Sequence, residues 1–207
     1  PVTQPLGDNW WPHPPTDTVT VVCLAYDAAR AEPPAVEWMG QVVQPKVTPT
    51  EMELVCEPGN GYGRARGQGL RWQRGCGKTV YSVGPRGCNL GASAVAVTGT
   101  VTTVGGLLVT SPELAGSAFD LGGGFITFNA PNGLLIRRDI ASHLKGDALL
   151  TLTPGGVAPK AGDIITALPT CPRTWAACAP RGNTDNYGGS LFKPVKNPVD
   201  GVSMSWG

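Results

Sequence analysis

Apolar and β-branched residues recur along this chain in short runs with alternating polarity, bounded by glycine, proline and asparagine, rather than at the three-to-four spacing of an amphipathic helix. Residues 1–17 are rich in proline and tryptophan and read as extended. The run "TVTVVCLAYDA" (18–28) predicts a strand, and "VEWMGQVVQPKV" (36–47) and "EMELVCEP" (51–58) predict two more. In the last of these Met52, Leu54 and Cys56 alternate with Glu51, Glu53 and Glu57, interrupted only by Val55. A glycine-rich basic stretch, "GNGYGRARGQGLRWQRGCG", then breaks the pattern and sets a boundary near residue 70. Beyond it the spacing predicts strands over 93–106, 106–112, 123–129, 148–154 and 162–171. The segment 134–146 fits either a short helix ended by Gly146 or a strand and turn; the alternation of "NGLLIRRDI" favours a strand over 134–140. The fold class is therefore mainly β, of the barrel or sandwich kind. An N-terminal β-rich domain, a small barrel or sandwich, spans 1–70, and a β-rich C-terminal domain with an extended tail spans 71–207.

Composition narrows the class. Of 207 residues 41% are apolar and only 15% charged, which supports a core and argues against disorder. The 29 glycines and 20 prolines show no collagen-like period and suit short strands with tight turns. A net charge of +1 gives no electrostatic reason to expect nucleic acid or an anionic membrane as partner. No apolar run is long enough to span a bilayer. The opening "PVTQPLGDNWWPHPP" has neither the basic nor the apolar region of a secretory signal.

Catalytic motifs fail in turn. "GCGKT" (75–79) looks like the end of a phosphate-binding loop, but the position that needs the first glycine holds Trp72, and no strand and helix flank it. The glycines at 59, 61, 63, 67 and 69 lack dinucleotide spacing. His13 lies in the proline-rich start. His143 lies beside Ser142, where adjacency makes no dyad, and reads as a surface or packing residue. Asp120, Asp139, Asp147 and Asp163 cannot be paired across a cleft from sequence, and Asp163 reads as a turn residue before a strand. No catalytic site assembles, so the chain reads as a non-enzyme.

The six cysteines fall into two kinds. Cys23 and Cys56 sit inside strand patterns and read as small buried hydrophobes in neighbouring strands, with a cross-strand disulfide as the alternative. Cys76 and Cys88 bracket "GKTVYSVGPRG", and Cys171 and Cys178 bracket "PRTWAA"; all four have glycine or proline neighbours. Two disulfides, a tetrahedral zinc site and an iron–sulfur cluster all satisfy the count. Zinc knuckles ordinarily leave two to four residues between cysteines, and both gaps here are wider. Spacing leaves the three readings open.

The C-terminal order is "AGD" (161–163), a short strand, the Cys171/Cys178 pair, and then Asn183, Asn186, Tyr187, Gly188, Gly189 and Pro194. It resembles the C-terminal region of the tail-tip hub proteins of siphophages and gene transfer agents, the family of minor tail protein L of lambda-like phages. "CGKTVYSVGPRGC" resembles that family's other cysteine pair, and "VTGTVTTVGG" the strand after it. The resemblance covers roughly residues 70–195. It implies that Cys76, Cys88, Cys171 and Cys178 together hold a 4Fe–4S cluster of structural role and close the C-terminal domain around it, with zinc as the runner-up occupant and Cys56 as the substitute should Cys76 not serve. It further implies a virion protein of the tail tip, assembled in the bacterial cytoplasm. There it would form a homotrimer linking the tail tube and distal tail protein to the central fibre or receptor-binding protein. Two other functions compete. One is a secreted, disulfide-bonded β-domain that binds carbohydrate or a cell surface through aromatics such as "DNWWP". The other is an iron–sulfur electron carrier or enzyme.

Overall fold

The computed structural model describes Trp10 and residues 15–26, 33–48, 50–59 and 72–194. The expected boundary near residue 70, Trp11, His13 and the tail beyond Pro194 lie outside the described residues. Two antiparallel sheets carry the fold.

The first sheet is a meander of β1 (Thr20–Ala25), β2 (Ala35–Val47) and β3 (Met52–Pro58), with β2 in the middle. The three runs predicted from alternation all form. Among the described residues they make an open three-stranded sheet, not the barrel or sandwich expected. The sheet is thinly covered: Val22, Leu24, Val36, Met39 and Val43 are exposed. That exposure corrects the reading of the two N-terminal cysteines. Cys23 is exposed and Cys56 half-buried, both are free thiols, and they flank β2 from opposite sides, Cys23 facing Trp38 and Cys56 facing Val42. They are neither core residues nor in neighbouring strands.

The second sheet has the order β4 (Val97–Thr100), β10 (Ile164–Leu168), β7 (Phe125–Asn129), β8 (Leu135–His143), β9 (Leu149–Leu152), β6 (Leu108–Thr110) and β5 (Thr103–Gly105). Its two edge strands, β4 and β5, are consecutive stretches of one chain passage. The Val101 amide donates to Asp163 O at 2.9 Å and the Thr102 amide donates to Thr110 O at 2.8 Å, so one passage bonds β10 on one side and β6 on the other. The sheet thereby curls until its ends meet, which removes the exposed edges. The single strand expected over 93–106 is in fact a short 3-10 turn at Ala92–Ala94 and then β4 and β5, bent at 101–102 to turn this corner.

The interior is filled by Val109, Ile126, Phe128, Ile136, Ile140, Leu150, Leu152 and Ile165, all buried. Leu114, on a 3-10 turn at Pro112–Gly116, joins them. β8 shows how sequence pattern becomes packing. From Leu135 to Ile140 it alternates strictly, exposed then buried, so the strand reading of 134–140 holds. A register shift between Ile140 and Ser142 then changes the phase and turns His143 inward. Buried His143 accepts the Leu121 amide on Nδ1 at 3.3 Å, and its Nε2 meets Asp147 O at 3.1 Å, so it is a packing residue. Arg138, on the buried face, is tolerated there because its guanidinium donates to Val157 O and Thr153 O. Asp163 is a turn residue before β10, as the sequence predicts: its Oδ2 accepts the Lys160 amide at 2.7 Å.

Candidate metal centre

β4 and β10 are paired antiparallel, with Val97 opposite Ala167. The chain entering β4 and the chain leaving β10 therefore meet at the same end of the barrel. The first cysteine pair lies upstream of β4 and the second downstream of β10. This pairing brings the two loops together across some 90 residues of sequence.

Cys76, Cys88, Cys171 and Cys178 all line one cavity of ≈ 60 Å³, with Lys78, Asn183, Asn186 and Tyr187 among the other lining residues. Cys56 is not among them. All six cysteines are free thiols, so neither loop is closed by a disulfide. Among the described residues, no group of three or more His, Cys, Asp and Glu is gathered closely enough to hold a single metal ion.

Backbone contacts lock the loops to each other. The Cys76 amide donates to Arg173 O at 2.8 Å, and the Ser190 amide donates to Gln73 O at 2.8 Å. The Tyr81 hydroxyl donates to Pro169 O at 2.6 Å, and its ring meets Phe125 edge-on. Tyr81 reaches both from a left-handed backbone, φ 62°, a conformation costly for an aromatic residue and held here by those contacts. Burial pushes its phenol up to about 12; Arg181 pulls the other way, and Cys171 and Cys88 add to the rise.

The second pair sits on a local structure that the sequence reading left as loop. Helix α1, Trp175–Cys178, is a single turn capped by Thr174, whose side chain accepts the Ala177 amide at 3.2 Å. The turn places Cys178 inward as its buried residue. Arg181 braces it from below, donating to Ala177 O at 2.6 Å and Thr170 O at 3.0 Å. The "NTDNYGG" run follows as a 3-10 turn at Thr184–Asn186. It turns back against the cavity, as expected for this asparagine- and glycine-rich segment. Tyr187 is half-buried, meets Trp175 edge-on, and donates from its hydroxyl to Arg74 O at 2.7 Å.

The chemistry of the donor set suits a soft metal group. Three sulfurs have N–H groups aimed at them: the Gly188 amide at Cys76 Sγ (3.3 Å), the Arg173 amide at Cys171 Sγ (3.4 Å) and Asn183 Nδ2 at Cys88 Sγ (3.4 Å). Such donors stabilise thiolate charge. The Cys178 thiol instead donates to Asn183 O at 3.1 Å, and burial, reinforced by the other three cysteines, pushes it up from its ordinary value. A metal group binding there would displace that proton. A lone zinc ion needs four sulfurs about 2.3 Å from one point. Four thiolates are also the ligand count of a 4Fe–4S cubane, so the donor count suits either group.

No family model matches the chain. An uncharacterised protein of Xylella fastidiosa (strain 9a5c) is 27% identical over the whole of this chain and 83% of its own length. Among solved structures, a chain from the virion of a native gene transfer agent particle shares the fold, with a TM-score of 0.64 and 19% identity, covering 91% of this chain and 68% of that one.

Proposed function

We propose that this chain is a structural protein of a phage-type virion, and that Cys76, Cys88, Cys171 and Cys178 hold a 4Fe–4S cluster that fastens its C-terminal half. The observation that carries the reading is the convergence of these four cysteines, from two distant loops, on one cavity at the barrel end. The likeness in fold to a chain of a gene transfer agent virion supports the setting. The cluster would supply crosslinking, not catalysis. In the disulfide case, joining loops so far apart in sequence is worth roughly 4–5 kcal/mol by loop-closure arguments, and a metal group acts in the same direction. The four cysteines are the ligands of this reading and Cys56, out in the three-stranded sheet, is not one.

In the finer form of the proposal the chain is the tail-tip hub. A trimer would join the tail tube and distal tail protein to the central fibre, and residues 71–207 would form the domain that the cluster closes. The exposed apolar residues of the three-stranded sheet suit a protein covered by neighbours in an assembly. For the carbohydrate-binding alternative, Trp10 is buried and no disulfide joins the cysteines, while Trp11 lies outside the described residues.

The test is genetic and structural. Particles made without this chain should show capsids but no completed tails, and a map of complete particles should place it at the tail tip. Complete tails in its absence would refute the assignment.

A further inference from the structure

We infer that Asn183 is the positioning residue of the four-cysteine centre, the group that sets one ligand from each loop in register for joint ligation. The inference rests on the reading of Cys88 and Cys178 as ligands. Asn183 is buried, and every polar group it has is engaged at the site. Its Nδ2 donates to Cys88 O at 2.7 Å and to Cys88 Sγ at 3.4 Å. Its amide donates to Cys178 O at 3.4 Å, a bond that ligation leaves in place, and its own carbonyl accepts the Cys178 thiol at 3.1 Å until a metal group displaces that proton. One residue thus touches the last cysteine of the first pair and the last cysteine of the second.

The amide orientation is fixed by chemistry. The Cys88 carbonyl can only accept, so the nitrogen must face it, which leaves Oδ1 to accept from Asn186 Nδ2 at 2.8 Å. Asn186 in turn accepts from Asn89 Nδ2 at 3.2 Å. Asn89 adopts a left-handed φ of 54° and brackets Gly84 with both ends of its amide, at 2.9 and 3.0 Å. Three asparagine side chains therefore form a relay from the first loop to the second, with Asn183 at its ligand end. Asparagine suits each place because it carries a donor and an acceptor on a short side chain. Aspartate at 183 would turn acceptors toward both the carbonyl and the sulfur of Cys88, and leucine would fill the space without donating.

The experiment uses the whole chain, purified anaerobically, as wild type, Asn183→Leu and Asn186→Ala. Iron and acid-labile sulfide are assayed, the visible band is followed under an iron chelator, and the melting of the β-sheet is recorded by circular dichroism. Outer-shell partners of metal ligands typically change metal affinity ~10–100-fold, so Asn183→Leu should lose its colour ~10–100 times faster than wild type. Asn186→Ala, which frees the Asn183 amide to turn and removes the acceptor of Asn89 Nδ2, should fall between, and serves if Asn183→Leu does not fold. Wild-type bleaching rates in Asn186→Ala, and in Asn183→Leu if it folds, would overturn the positioning role and leave the cluster reading intact. Wild-type protein devoid of iron and sulfide would overturn the cluster reading, and the inference with it.

Discussion

The amide of Gly188 donates to Cys76 Sγ at 3.3 Å, joining positions 112 residues apart. The next residue shows how tightly this crossing is built. A Cβ on Gly189 would lie 2.3 Å from Arg74 O and 2.6 Å from Tyr187 Cε1, and the first of these is backbone that cannot turn aside. The nearest atoms a Cβ on Gly188 would meet belong to the Lys78 side chain, which can. Gly189→Ala should therefore destabilise the chain by about 1–3 kcal/mol, the usual cost of overpacking, and Gly188→Ala by less. Denaturant unfolding of the two variants checks the order.

Tyr81 makes the fold sensitive to alkali. Its phenol is pushed from 10.0 up to about 12, first by burial. The folded value lies above the unfolded one, so the stability that neutral Tyr81 contributes is complete below pH 10.0 and is lost as pH rises towards about 12. Tyr81→Phe should cost ~0.5–1.5 kcal/mol at neutral pH through the lost bond to Pro169 O. Its stability should then fall less steeply than that of wild type across the alkaline window. Parallel alkaline unfolding curves would contradict this.

Arg138 separates the barrel from the metal centre. Arg138→Met would strand the carbonyls of Val157 and Thr153, each costing about 1–3 kcal/mol if left without water. Thermal melting should drop while iron per folded chain stays at the wild-type value.

The N-terminal thiols make the opposite control. Cys23→Ala, at an exposed site, should change stability by no more than ~0.5 kcal/mol, and Cys56→Ala by little more. Neither should lower iron content, since both lie on the three-stranded sheet. Loss of iron in Cys56→Ala would move a ligand to that position.

How much of this was legible in the sequence differs from place to place. The strands were, because alternation such as that of Leu135 to Ile140 directly reports which side chains face inward. The reversal of phase that buries His143 was not, since a bulge leaves no mark in local polarity. Cys23 and Cys56 misled for a related reason: alternation shows that a strand has two faces but not whether anything covers them. The single turn Trp175–Cys178 is too short to show helical periodicity, though Thr174 carries the capping signal. The four cysteines were readable as a set from their turn-like surroundings. Asn183 and Asn186 were visible only as parts of a motif. Their bonds to Cys88 and Asn89 cross some 95 residues, and nothing local announces a contact made by the pairing of β4 with β10.

The most direct measurement is the iron and acid-labile sulfide content of anaerobically purified wild-type chain beside Ser variants of Cys76, Cys88, Cys171 and Cys178. The account predicts iron and sulfide in equal amounts, about four of each per chain as a 4Fe–4S cluster requires, with a broad visible absorbance that each Ser variant loses or weakens. Stoichiometric zinc without iron or sulfide in the wild type would contradict the cluster while leaving the four-cysteine centre in place. Wild-type chain free of any metal would contradict both.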